Sequence, residues 1–330
     1  MVKKYYKEID ILKGAAILLV VLGHSISYLG SGNKAWGLVN EVIYNFHMPI
    51  FFFASGFLSY KILSFQKIEW NYLKGKAIRL IVPYITCGLL YFAFRQILSF
   101  KVGMKYTGSP LWKMVYGVNP SYSLWFLYVL FVCLALCILF VRSKNIIPIM
   151  VVALLLSIFF GFLTEDGFSP LNIASKIFKV FIYVLIGLWC GKNYDRLDRY
   201  FNCKVLVVSV LLFIGGNFAL HYVTEVFLNN TLKIVTSLTA IEVLLFLSRK
   251  VSQTKWSHIL KQFGMNSMGI YVISGVLQPI IKEVLIRKVN SNVTLLVLIC
   301  FFVTVLLSFV ITLLIKKIKV AKLLLLGETK

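Results

Sequence analysis

The chain has 330 residues, 59% of them hydrophobic, with a mean hydropathy of +0.86 and a formal net charge of +23. Soluble domains are nearer half apolar, and here apolar runs of membrane length recur from end to end, which excludes a globular domain carrying one anchor. The positive charge would point to nucleic acid in a soluble protein; here it falls in alternate short loops, as the positive-inside rule requires, and no nucleic-acid partner is expected.

The expected fold is all-α, a polytopic membrane protein of about ten transmembrane helices. The spans run roughly 11–30, 42–63, 79–100, 122–141, 146–164, 174–191, 204–222, 231–248, 265–286 and 293–315. The first is about twenty residues long and has no small-residue cleavage site, so it is read as a retained span and not a signal peptide. Lysines and arginines crowd the N-terminal segment, the second, fourth, sixth and eighth loops and the C-terminal segment (Lys7, Lys74, Arg142, Arg196, Arg249, Lys316 among them), which puts both termini in the cytoplasm. The third loop, with Lys101, Lys105 and Lys113, and the ninth, with Arg287 and Lys288, run against that rule. Six cysteines (87, 133, 137, 190, 203 and 300) lie in or beside apolar runs without CxxC pairs or metal-ligand spacing; they read as small buried hydrophobes, and no metal or disulfide framework is expected.

The first span carries the earliest chemistry. Lys13 opens it and His24 lies eleven residues on, close to three helical turns and about 16 Å along the axis, on nearly the same face. Asp10 lies near that face too. In the second span His47 sits at a depth similar to His24, so the two imidazoles are expected to meet across a polar pocket or else to be bonded individually to carbonyls. Histidine suits general-base work because it titrates near neutrality. Pro49 and a phenylalanine run follow, then Ser55-Gly56, read as a close-packing spot and not a nucleophile.

Lys76 and Arg79 share a helix face at the start of the third span and serve either as topological anchors or as contacts for phosphates. Arg95 lies near the far end of that span, at the depth of the histidines. Trp125 enters the fourth span behind aromatics of the preceding loop, an interfacial belt or a stacking surface for sugar rings. Glu242 lies well inside the eighth span, where a buried carboxylate needs a partner in space. Gln278, in the ninth, is a weaker candidate.

Taken together, these stretches resemble the integral-membrane acyltransferase-3 family, bacterial O-acyltransferases of surface glycans and some lipids. The resemblance rests on five stretches in order. They are Asp10-Ile-Leu-Lys13-Gly14 through His24; Phe46-His47-Met48-Pro49-Ile50-Phe51-Phe52 with Ser55-Gly56-Phe57; Lys76-x-x-Arg79-x-x-x-Pro83; Ser123-Leu124-Trp125-Phe126-Leu127; and Gly264-Met-Asn266-Ser267-Met-Gly-Ile270-Tyr271. Many members carry a histidine three or four residues beyond the last tyrosine, where this chain has Ser274 and Gly275; many have arginine in place of Lys13.

The resemblance implies a single membrane-embedded acyltransferase domain over 1–330, without an appended soluble domain, in a bacterial plasma membrane. The implied co-substrate is acyl-CoA, usually acetyl-CoA, presented from the cytoplasm, with no bound cofactor. The implied acceptor is a hydroxyl of a cell-envelope polysaccharide or its lipid-linked precursor. His24 is then the general base, with His47 beside it; Lys13, Lys76 and Arg79 meet donor phosphates; Asp10, Arg95, Trp125, Glu242, Asn266, Ser267 and Tyr271 are structural or acceptor-side candidates. The rival reading is a transporter or flippase with His24, Arg95 and Glu242 along a solute path, and the lack of a clear internal repeat counts against it.

Overall fold

The computed structural model describes residues 5–64, 69–102, 111–118, 124–140, 146–161, 170–197, 201–289 and 292–329, and all the regular structure among them is helical. In chain order the helices are α1 (Lys7–Leu29), α2 (Lys34–Leu58), α3 (Trp70–Val102), α4 (Trp125–Phe140), α5 (Ile147–Gly161), α6 (Pro170–Lys192), α7 (Tyr194–Leu197), α8 (Cys203–Tyr222), α9 (Val226–Ser252), α10 (Ser257–Met265), α11 (Ser267–Lys288), α12 (Val293–Lys317) and α13 (Lys319–Leu326).

A helix stands at each of the ten expected spans. Seven (α1, α3, α6, α8, α9, α11 and α12) are long and apolar enough to cross a membrane. α4 and α5 are apolar but have only 16 and 15 described residues. α2 has 25 residues and interrupts its apolar run with Asn40, Glu41, Asn45 and His47. The short helices α10 and α13 have no counterpart among the expected spans; their amphipathic sequences are too short to register as spans.

α1 is the hub, packed against α2, α9, α10, α11 and α12, while α2 lies along α6. Ile9, Leu12, Ala16 and Ile17 of α1 and Ile50, Phe52 and Phe57 of α2 are fully buried in one continuous core. α8 is the opposite case. It turns Val207, Leu211, Ile214 and Phe218 outward, a surface suited to acyl chains and not to water.

Three helices carry a proline in mid-course, Pro49 in α2, Pro83 in α3 and Pro279 in α11. Each removes the N–H that would have bonded the carbonyl four residues earlier. For Pro49 that carbonyl belongs to Asn45, and the Ser237 hydroxyl of α9 lies 2.7 Å from it and 2.7 Å from the Lys233 carbonyl, its one proton shared between the two. In a bilayer such a replacement donor is needed, because no water reaches the gap.

Candidate active site

Two pockets abut inside the bundle. One, enclosing about 840 Å³ of space, is bordered by Lys13 from the start of α1, Lys76 and Arg79 from the start of α3, and Ser267 from the start of α11, above an apolar wall that includes Phe51, Leu130 and Leu134. The other, about 1100 Å³, is bordered by His24 and Tyr28 of α1, Tyr44 and His47 of α2, Tyr91 of α3 and Trp125 of α4. Met48 and Tyr271 belong to the walls of both. Tyr271 is backed by Phe126 at 5.7 Å between ring centroids, and Phe126 by Phe52 at 4.9 Å, so an aromatic column from three helices holds this shared wall.

The cationic pocket is shaped by backbone contact. Gly14 of α1 and Gly264 of α10 face each other so closely that a Cβ on Gly264 would stand 1.7 Å from the Asp10 carbonyl oxygen, and one on Gly14 would stand 2.0 Å from that of Leu260. This crossing sets Lys13 next to the entry of α11. Lys13 Nζ pairs with Asp10 at 2.7 Å, which fixes the ammonium at the rim. Lys76 Nζ donates to Ser59 Oγ at 3.1 Å and lies 5.2 Å from the Tyr72 ring centre. Arg79 pairs at 3.3 Å with Glu328, which also meets Lys316 at 3.3 Å. Glu328 is brought there by α13, seated on α3 through the hydroxyl of Thr86 donating to the Leu324 carbonyl, and by Gly327, whose φ of +63° turns the chain against Ile78 and Arg79. The first residues of α11, Ser267 and Met268, open onto the same space, so the positive end of a helix dipole joins three cationic side chains. Just ahead, Asn266 ends α10 and begins α11, its Nδ2 donating to the Gln262 carbonyl at 2.8 Å.

Among the described residues outside the spans, the Tyr5 titration is displaced. Burial, then the hydrogen bond to Asp10 at 2.9 Å and its charge, push the Tyr5 phenol above the usual tyrosine range. Tyr5 and Lys13 thus share Asp10 as a partner.

The second pocket is lined by imidazole, phenol and amide groups, with no lysine, arginine or carboxylate in its wall among the described residues. His47 is buried, and its Nδ1 donates to the Ile43 carbonyl at 2.8 Å, which leaves the neutral ring a lone pair on Nε2. His24 Nδ1 lies 3.1 Å from the Tyr44 hydroxyl. The Tyr44 ring packs edge-on against both imidazoles, with centroids 6.1 Å from His24 and 4.9 Å from His47. Gln278 of α11 donates to the Val21 carbonyl at 2.8 Å and to Ser25 Oγ at 3.0 Å, which ties α11 to α1 behind His24. Such a pocket suits the abstraction of a proton from a hydroxyl held among aromatic rings.

Comparison with known proteins fits this geometry. A family model described as an acyltransferase domain, that of acyltransferase-3, matches residues 6–313. The chain belongs to the acyltransferase-3 family. It is also similar to the inner membrane protein YcfT of Escherichia coli (strain K12), 24% identical over 312 residues that cover 86% of this chain and 82% of that protein. No solved structure matches. The chain is thus a multi-pass membrane acyltransferase, and family membership speaks against the transporter reading.

The five acyltransferase-3 stretches, far apart in sequence, wall the two abutting pockets. The first supplies Lys13 and His24, the second His47, Met48, Phe51 and Ser55, the third Lys76 and Arg79, the fourth Trp125 and Phe126, and the last Ser267, Met268 and Tyr271. Gly275, at the position where the resemblance would put a histidine, lies in the wall of the His24 pocket.

Three candidates are in neither pocket wall: Glu242, Asn266 and Asp10, which reaches the cationic pocket only through its pair with Lys13. Glu242 accepts a hydrogen bond from Ser209 of α8 at 2.6 Å, a structural pairing of α8 with α9. Asn266 lies at the α10–α11 junction, and its Oδ1 has no hydrogen-bond partner among the described residues. Arg95 falls on α3 with its side chain outside the described residues, and Ser123 of the fourth stretch lies outside the described residues altogether. Sequence reasoning passed over Tyr28, Tyr44, Tyr91 and Glu328. Tyr44 had a signal, because Asn40, Tyr44 and His47 are spaced four and three apart, a polar stripe on one helix face.

Proposed function

We propose that this acyltransferase moves an acetyl group from acetyl-CoA, arriving from the cytoplasm, to a hydroxyl of a cell-envelope polysaccharide or its lipid-linked precursor. The observation that carries the reading is the abutment of a cationic pocket and a histidine pocket through the shared residues Met48 and Tyr271. The positive-inside distribution supports both termini and the cationic pocket on the cytoplasmic side, with all ten helices spanning as one embedded domain over 1–330.

In this reading Lys13, Lys76, Arg79 and the N-terminus of α11 receive the donor phosphates. The apolar wall of Phe51, Leu130 and Leu134 receives the pantetheine arm. The rise of about 16 Å from Lys13 to His24 is comparable to that arm when extended. The thioester carbonyl then lies at Met48 and Tyr271, and the acceptor ring lies among Tyr28, Tyr91 and Trp125, which supports a sugar as acceptor. His24 Nε2 takes the hydroxyl proton as the oxygen attacks the thioester carbon. The tetrahedral adduct collapses with cleavage of the C–S bond, and the imidazolium returns its proton to the departing thiolate. His47 Nε2 is a second acceptor, open to a neighbouring hydroxyl of the acceptor, because the one proton of the attacking hydroxyl goes to His24. Glu242 stays structural through Ser209.

The test is transfer of radiolabelled acetyl from acetyl-CoA to glycan in membranes carrying wild-type or His24→Ala protein. The expected result is loss of transfer with normal insertion and folding; full transfer by His24→Ala would overturn the assignment of the base. Mass spectrometry of surface glycan from a deletion strain identifies the acceptor by the loss of one acyl group per repeat.

A further inference from the structure

A histidine acts as a base only through a nitrogen that holds a lone pair, and the nitrogen that does so is set by the bond made at the other one. Around His24 the hydrogen-bond directions are countable. Asn40 Nδ2 lies 3.2 Å from Ser27 Oγ, Ser27 Oγ lies 3.0 Å from the Gly23 carbonyl and 3.2 Å from the Tyr44 hydroxyl, and that hydroxyl lies 3.1 Å from His24 Nδ1. The amide nitrogen only donates and the carbonyl only accepts, while each hydroxyl has one proton and two lone pairs.

If Tyr44 gave its proton to His24 Nδ1, the single Ser27 proton would face two acceptors, Tyr44 and Gly23, and one of those contacts would be oxygen against oxygen with no proton between. If Ser27 donates to Gly23, Tyr44 donates to Ser27 and His24 Nδ1–H donates to Tyr44, all four contacts are satisfied. A polar cluster within a membrane span favours the arrangement in which each of these four contacts holds a proton.

We propose that Tyr44, held by Ser27 and Asn40, is a positioning residue that keeps His24 in the tautomer with Nδ1 protonated and Nε2 free to take the acceptor's proton. The phenol oxygen also accepts from the imidazolium once Nε2 is protonated, so the bond persists through the transfer. The Tyr44 ring packs edge-on against His47 as well, so one side chain orients both histidines. The inference rests on His24 being the base.

The test is steady-state acetyl transfer by purified full-length protein with Tyr44→Phe and Ser27→Ala, alongside His24→Ala. Phenylalanine keeps the ring contacts and removes the oxygen; Ser27→Ala keeps the phenol and removes the acceptor of its proton. Tyr44→Phe is expected to lower kcat roughly ten- to a hundred-fold, the usual cost of losing a group that orients a histidine, with the KM for acetyl-CoA unchanged. Ser27→Ala is expected to lower kcat in the same direction by less. Should Tyr44→Phe fail to fold, Ser27→Ala decides alone. Wild-type kcat in both variants overturns the inference, as does a rise in KM for the acceptor with kcat unchanged, which would make Tyr44 a binding contact. If His24→Ala itself transfers acetyl at the normal rate, the base assignment fails and the inference falls with it; loss in His24→Ala with none in the other two variants overturns the inference alone.

Discussion

Alanine at Gly264 probes how the α1–α10 crossing builds the cationic pocket. Its Cβ would stand 1.7 Å from the Asp10 carbonyl oxygen, 2.6 Å from the carbonyl carbon and 3.0 Å from Gly14 N, where ordinary contact is 3.4–4 Å. All three atoms are backbone, so no rotamer change relieves the clash, and the helices must part by on the order of 1.5 Å. Overpacking of this kind costs about 1–3 kcal/mol, a drop of several degrees in the unfolding temperature in detergent. The displacement falls between Lys13, adjacent to Gly14, and Ser267, three residues beyond Gly264. If one cation is carried out of reach of a donor phosphate, the loss is about 1.4 kcal/mol, or roughly tenfold in donor affinity. Acetyl-CoA binding by titration calorimetry and steady-state transfer provide the assay, with KM expected to rise and kcat to change less. Gly215→Ala on α8 is the control, since a Cβ there meets nothing within 4 Å, and it should be neutral or slightly stabilising. Wild-type unfolding temperature in Gly264→Ala would refute the close crossing. A destabilised protein with unchanged donor affinity would refute the link from the crossing to Lys13.

Three further outcomes follow from the geometry. Glu328→Gln removes the carboxylate that engages Arg79 and Lys316. Because Arg79 is well exposed, at 44%, stability should change by less than about 1 kcal/mol, while acetyl-CoA binds up to about fivefold tighter; weaker binding would show that Glu328 holds Arg79 in its binding pose. Ser209→Ala deprives Glu242 of its donor and should cost about 1–3 kcal/mol in an unfolding assay with transfer retained, because the pair lies apart from both pockets. Loss of transfer in the folded variant would give Glu242 a catalytic part. For Tyr5, the raised folded value means that its neutral form is favoured by the fold, so its contribution to stability is full below the ordinary phenol range and is lost as pH rises through that range and beyond. The ultraviolet difference between wild type and Tyr5→Phe should show no phenolate from Tyr5 at about pH 10, and an ordinary titration midpoint would contradict its bond to Asp10.

Much of the scaffold was legible in the sequence, because apolar length alone marks a helix that must satisfy its own backbone in lipid. Lys13 and His24 were assigned to one face by helical period, and the structure puts them on two abutting pockets reached from α1. Lys76 and Arg79 at their spacing of three likewise share a pocket wall. The partners were not legible. That Gly14 meets Gly264, 250 residues on, depends on how two helices cross, and nothing local in either glycine announces it. Glu328 was invisible for a similar reason: α13 has eight residues, so apolar length does not mark it, and only its docking on α3 brings the carboxylate to Arg79. Glu242 was legible as a carboxylate that needs a partner in space; that the partner is Ser209 of α8 was not, because it depends on how α8 packs on α9.

The prolines shape the backbone around part of the pocket walls. α2, α3 and α11 carry a proline in mid-course and wall the pockets, together with the proline-free α1 and α4. A proline prevents the turn before it from closing on itself, leaving a backbone carbonyl to be satisfied from outside the helix. At Pro49 the outside donor is Ser237. At Pro83 the carbonyl is that of Arg79, against which Gly327 packs closely enough that a Cβ there would stand 2.6 Å away. At Pro279 it is that of Gly275, in the wall of the His24 pocket. The charged end of the internal space is separated from the imidazole end by Met48 and Tyr271. In the proposed reaction, the acyl group of the donor and the hydroxyl of the acceptor approach from opposite ends and meet at that wall.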